Sequence, residues 1–135
     1  MKHYLVDTNV VIDMLLDREG ADAACAIFDG AERGKYALYL CALSYTNIYY
    51  SLRRFLSHEE RISCLMQLQE VLHVLPVDAG TINQALHSGW HDFEDAIQNY
   101  TALSDKRICG IITRNTKDFQ QSVLEIINSL AFSTE

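Results

Sequence analysis

The sequence predicts an α/β fold, a three-layer sandwich around a mostly parallel central sheet. Short apolar, β-branched runs alternate with amphipathic helical segments along the chain. Alternation of this kind implies βαβ crossovers, which make a sheet parallel and cover both its faces with helices. The length of 135 residues is the second observation: it matches one domain, and a chain of this size buries roughly two thirds of the surface it exposes when unfolded. No Pro-, Gly- or Ser-rich stretch divides the sequence, so residues 1–135 read as one domain with disorder confined to the last few residues.

The elements follow in order. His3 to Val6 is a short apolar strand. Asp7-Thr8-Asn9, all cap-forming residues, then open a helix through Val10 to Leu16. Ala24, Ile27, Phe28 and Ala31 share one face of a second helix, which Gly34 stops. Tyr36 to Leu40 has the aromatic and aliphatic content of a buried strand, and Ser44 and Thr46 open a helix carrying Ile48, Leu52 and Phe55. Ser57 and Glu60 form a capping box for a helix with Ile62, Leu65 and Met66 on one face. Val71 to Leu75 is β-like and closes at Pro76. Ala79 to Leu86 is helical, Ser88-Gly89 breaks it, and Asp92 caps a helix through Ala96, Ile97, Tyr100 and Leu103. Ile108 to Thr113 is the last clear strand; beyond the polar Arg114 to Lys117 loop the spacing predicts a short Val123-Leu124 strand and a final helix near Ile126 to Leu130.

The bulk properties exclude several classes. Only Tyr4, Leu5 and Val6 separate His3 from Asp7, too little for a signal peptide. The longest apolar run, Tyr36 to Leu43, falls far short of the ~20 residues a membrane-spanning helix needs. Cys25, Cys41, Cys64 and Cys109 are dispersed without a Cys-x-x-Cys pair, so reduced thiols and a cytoplasmic location are expected. A net charge of -7 argues against a protein that grips nucleic acid over a broad basic face. Basic residues recur locally, at Arg53-Arg54 and from Lys106-Arg107 through Arg114 to Lys117, which leaves room for a local basic rim. There is no nucleophile elbow around Ser44 and no Gly-rich phosphate loop.

In a parallel sheet all strand C-termini share one edge, where loops converge on a crevice. Asp7 follows the first strand, Ser44 and Asn47 follow the second, and Asn115 and Asp118 follow the Ile108 strand. Asp92 and Asp95 are three apart and share a helix face, with Glu94 expected to point elsewhere. Taken singly, Asp7 reads as a helix cap, Asp118 as a turn residue, and Asp92 with Asp95 as complements to a helix dipole. Together they repel, and carboxylates that meet without a counter-charge must protonate or bind a cation. Oxygen donors without His or Cys select a hard ion such as Mg²⁺ or Mn²⁺. Such a site can polarise a phosphate and activate water, so phosphodiester hydrolysis is the matching chemistry.

Three ordered stretches then become informative: Tyr4-Leu5-Val6-Asp7-Thr8-Asn9-Val10-Val11-Ile12-Asp13, Asp92-Phe93-Glu94-Asp95-Ala96-Ile97-Gln98, and Ile111-Ile112-Thr113-Arg114-Asn115-Thr116-Lys117-Asp118-Phe119. This set resembles the PIN-domain family from about Lys2 to Phe132. The resemblance implies Mg²⁺- or Mn²⁺-dependent cleavage of RNA, often as the toxin of a VapBC-type toxin-antitoxin pair, with a homodimer and an antitoxin that blocks the site. By motif, Asp7 is the first metal ligand, Asp95 the third, and Asp118 with Asn115 the fourth position. The family's glutamate in the helix after the second strand is replaced here by Asn47, whose amide can coordinate but carries no charge and is no base. Helical spacing nominates Asp92 for the missing carboxylate.

Thr113 is a further supporting residue, and Arg114 and Lys117 are candidate phosphate contacts. His87 and His91 are four apart, but the Ser88-Gly89 break argues against a zinc pair. Tyr49, Tyr50 and Trp90 could stack bases, although burial trends favour core or interface. Two other readings exist: a catalytically weak PIN-like module that binds RNA or protein, motivated by Asn47, and a haloacid-dehalogenase-like phosphatase. The latter wants an acidic residue two positions after Asp7, where this chain has Asn9.

Overall fold

The structure, a computed structural model, describes residues 1–132. The disorder expected for the last few residues falls on 133–135, outside the described residues. Five strands, β1 (His3–Val6), β2 (Ala37–Cys41), β3 (His73–Leu75), β4 (Ile108–Thr113) and β5 (Glu125–Asn128), form one sheet in the order β3-β2-β1-β4-β5. Every adjacent pair is parallel. Six helices connect them: α1 (Thr8–Leu15), α2 (Ala21–Glu32), α3 (Ala42–Ser51), α4 (His58–Val71), α5 (Ala79–Leu86) and α6 (Phe93–Leu103).

The alternation of side chains along each strand feeds two cores. On one face Tyr4, Val6, Leu38, Leu40 and Ile112 pack with Val10 and Val11 of α1, Ile27 and Phe28 of α2, Ile48 of α3 and Leu68 of α4. On the other, Leu5, Tyr39, Cys41 and Ile111 pack with Ala85 of α5, Ala96 and Ile97 of α6, and Phe119. The sandwich is therefore closed on both faces, as the run of buried residues through β2 requires of a parallel strand.

Local signals fix the helix ends. Ser57 and Glu60 make the reciprocal capping box of α4. Asp78 and Asp92 each accept a backbone N–H three residues on, capping α5 and α6. Gly34 stands at φ +77, closing the turn after α2 where a side chain would be strained. Helix α3 begins at Ala42, ahead of the expected Ser44 start, so Ser44 lies in its first turn and is buried. Helix α4 extends to Val71, which leaves the third strand as His73–Leu75 alone.

Two expectations near the C-terminal end are overturned: the segment near Ile126 to Leu130 is not a helix, and Val123-Leu124 is not a strand. Instead Glu125–Asn128 adds to the sheet edge, pairing Ile126 with Ile111 and Ile127 with Ile112. The backbone of β4 would otherwise present unpaired donors and acceptors, and two adjacent β-branched residues suit that ladder better than an isolated turn of helix.

Candidate active site

The strand order reverses direction at β1. The chain leaves β1 towards β2 and β3, and returns to β4 and β5 on its other side. The crevice between the C-terminal ends of β1 and β4 is thus the topological switch point. Asp7 sits there, 2% exposed, at the N-cap position of α1, yet its side chain makes no capping bond. Its two oxygens are held from other elements: Gln98 Nε2 donates to Oδ1 at 3.0 Å and Thr113 Oγ1 donates to Oδ2 at 2.9 Å. Gln98 is itself fixed, because its Oε1 accepts from the Thr8 backbone N–H at 3.1 Å and from the Thr8 hydroxyl at 3.2 Å. The Thr8 and Ser44 hydroxyls are 2.6 Å apart, tying α3 to the network. A buried carboxylate oriented by satisfied partners has one setting, which is what a ligand or a reacting group requires.

A cavity of about 340 Å³ opens above this network, lined by Asn9, Asn47, Tyr50, Asp92, Glu94, Asp95 and Asp118 among others, with no Lys, Arg or His in its wall. The carboxyls sense one another. Burial and then the charges of Asp92, Asp7, Asp118 and Glu94 push Asp95 up to about 7. Burial raises Asp7 as well, with Asp118 adding to it and the Gln98 and Thr113 bonds opposing. Glu94 is raised by burial, Asp92 and Asp7, and drawn back by the Asn47 amide.

The structure brings Asp7, Asp95, Asp118, Asp92 and Asn47 to this one place. Asp118 lies on the 3-10 turn Thr116–Phe119, anchored by the fully buried Phe119. Thr113 holds Asp7 and also accepts the Asn115 N–H at 3.1 Å, shaping the loop that carries Asp118. Asn115 itself is exposed and outside the cavity wall. Asp92 is occupied as the α6 cap through Oδ1, 2.9 Å from the Asp95 N–H. Glu94, expected to point away, lines the same cavity as Asn47. It belongs to the first turn of its helix, where the entry from the cap turns residues 94 and 95 both towards the crevice.

The two candidate phosphate contacts part company. Lys117 borders a neighbouring cleft with Asp92, Asp95, Asp118 and Trp90. Arg114 is bound to the buried Asp13 of α1, Nε to Oδ2 at 2.7 Å. Sequence reasoning missed the role of Gln98, which reads as one more residue on a buried helix face, and the pairing of Tyr50 with Arg53, each of which it named singly. Tyr50 is 61% exposed and the Arg53 guanidinium lies 3.7 Å over its ring. The Tyr-x-x-Arg spacing within one helical turn was the available clue.

The donor set fits a hard divalent cation: carboxylate and amide oxygens, mutually repelling, without an intrinsic counter-charge. Among the described residues no three His, Cys, Asp or Glu side chains yet stand close enough to enclose an ion. The fit is one of chemistry, with Asp7 already fixed and Asp95, Asp118 and Asn47 on rotatable side chains around it.

A parallel sheet with an acidic crevice at its switch point defines a class of α/β domains in which loop carboxylates do the work. A PIN-domain family model matches residues 3–117, and the chain belongs to that family. Solved structures share its fold at low identity. FitAcB from Neisseria gonorrhoeae has a TM-score of 0.67 with 20% identity, covering 96% of this chain and 99% of that one. VapBC2 from Rickettsia felis, bound to a DNA fragment from its promoter, has a TM-score of 0.66 with 14% identity over 93% and 98%. A toxin-antitoxin complex from Klebsiella pneumoniae has a TM-score of 0.66 with 22% identity over 93% and 97%. No curated protein sequence matches at a significant level.

Proposed function

We propose that this chain is a metal-dependent endoribonuclease that hydrolyses RNA phosphodiesters. The observation that carries the reading is that Asp95 and Asp118 line one cavity without a basic side chain in its wall, close enough to the buried Asp7 for the three charges to act on one another. Asp7, Asp95 and Asp118 would hold Mg²⁺ or Mn²⁺, with Asn47 as a neutral oxygen donor. When bound, the ion would neutralise phosphate charge and activate water. The protein's own part is positional. Gln98 and Thr113 keep the Asp7 carboxylate in one orientation. The α6 cap made by Asp92 fixes the backbone from which Asp95 projects. Lys117 and the Arg53-Tyr50 pair offer the basic and aromatic surface beside the acidic cavity that a single strand needs. A bound cation would also offset the burial and the neighbouring charges that together raise Asp95.

We further propose that the chain acts as the toxin of a toxin-antitoxin pair, as a homodimer and in the cytoplasm, and that residues 1–135 form a single domain. Support comes from the family and from the toxin-antitoxin complex among its structural neighbours. Among the described residues no helix is long and apolar enough to cross a membrane.

A second reading has its own observation. Asn47 removes a charge, and the carboxylates do not form a closed cage, which favours a catalytically weak module that binds RNA or protein. Cleavage of a mixed RNA pool with Mg²⁺, Mn²⁺ or chelator, beside an Asp7→Asn, Asp95→Asn protein, separates the two. Metal-dependent cutting that the double variant loses supports the nuclease. No cutting by a folded wild type leaves the binding module.

A further inference from the structure

We infer that Glu94 supplies the acidic group that Asn47 does not, so that the second carboxylate of the site is delivered from α6 instead of α3. The inference rests on the metal-site reading above. Two observations on opposite walls carry it. On the α3 wall, the cavity is lined by the amide of Asn47 together with Tyr50 and Ser51, so this wall brings no carboxylate. On the α6 wall, Glu94 lines that cavity and also the cleft between α3 and α6, and in both it shares the wall with Asn47. Glu94 and Asn47 are thus the two residues common to these adjoining spaces among the described residues.

The other acidic side chains are already assigned. Asp92 spends Oδ1 on the Asp95 N–H, so moving it into the cavity would uncap α6. Asp7 has both oxygens engaged by Gln98 and Thr113, and these bonds fix it at the floor. Among the described residues Glu94 has no capping bond and no salt bridge, and its carboxylate lies within reach of the Asn47 amide at the cavity. Asn47 then acts as the neutral partner of Glu94. An amide can donate to a carboxylate, whereas a second glutamate facing it would repel.

The test exchanges the two residues. Mn²⁺ binding to the full chain is measured by the electron paramagnetic resonance signal of the free ion, for wild type, Glu94→Gln, Asn47→Glu in the Glu94→Gln background, and Asp7→Asn with Asp95→Asn. Thermal melts in chelator check that each folds. The expected result is a loss of roughly 10–100-fold in Mn²⁺ affinity for Glu94→Gln, with most of it recovered when Asn47→Glu is added. Wild-type affinity in Glu94→Gln, alongside loss in the Asp7, Asp95 variant, overturns the role of Glu94 and leaves the metal site standing. Recovery failing in a folded exchange variant also overturns it. Equal or absent binding in wild type and the Asp7, Asp95 variant overturns both the metal site and the inference.

Discussion

Gln98 shows how one buried amide can organise a site. It donates to Asp7 and accepts twice from Thr8, while 2% exposed. Replacement by Leu keeps the volume but strands the Thr8 N–H and one Asp7 oxygen. The expected cost is about 1–3 kcal/mol in urea unfolding, with metal-dependent cleavage falling more than the stability loss explains. Asp95 makes a pH prediction. Its folded value of about 7 exceeds the ordinary 3.8, so the folded state binds more protons than the unfolded state between those values. Metal-free stability is therefore expected to fall as pH rises through that window. Asp7 and Glu94, also raised, act in the same direction. Urea melts in chelator at pH 5 and pH 8 should differ by on the order of 1 kcal/mol from Asp95, after allowing for the solvent screening of a half-buried group. Asp95→Asn should flatten that difference, and a slope unchanged by the substitution would refute the assignment. The sequence nominated these carboxylates because strand ends and cap residues are local patterns. Gln98 escaped, since its partners lie ninety residues away in the chain.

At the scale of elements, the bond from Arg114 to Asp13 joins α1 to the loop after β4 across the switch point. Asp13 is almost fully buried in this pair while Arg114 keeps some solvent contact. Arg114→Ala leaves an unpaired buried carboxylate, expected to cost about 2 kcal/mol, less than a wholly buried pair would. It also frees the loop carrying Asp118, so hydrogen exchange should quicken at Asn115 to Asp118 while α4 is unchanged. Strand and helix identities were legible wherever a cap or a glycine punctuated them, as at Ser57, Asp92 and Gly34. The β5 segment was not. Its Ile126-Ile127 pair is too short to show a period, and it becomes a strand only because the β4 edge is there to receive it.

For the whole molecule, the charge balance sets how RNA would be held. With a net charge of -7, and with Arg53 and Lys117 the basic groups set beside the cavity among the described residues, binding should depend only weakly on salt. A log-log slope of about -1 to -2 for a single strand is expected, at ~0.7 per phosphate contact. Lys117→Ala should make it shallower by about that increment, and a steep slope in the wild type would mean an unseen basic surface. The sheet order brings Asp7 and the loop carrying Asp118 to one edge, the edge to which an α/β reading of the sequence pointed. The direction in which Glu94 points could not come from spacing, because the entry angle of α6 depends on how its cap meets the rest of the fold.

The acidic rim has a consequence for heredity. Changing Asp95 or Asp118 to a neutral residue relieves repulsion without touching either core, so a chain that lost the proposed activity this way would gain robustness. Misfolding then does nothing to purge such alleles, and only selection on activity itself can retain the carboxylates. Asp7 differs, because the donors of Gln98 and Thr113 would be orphaned by its loss. Among descendants of this gene, silent lineages should have drifted first at the rim and last at the floor.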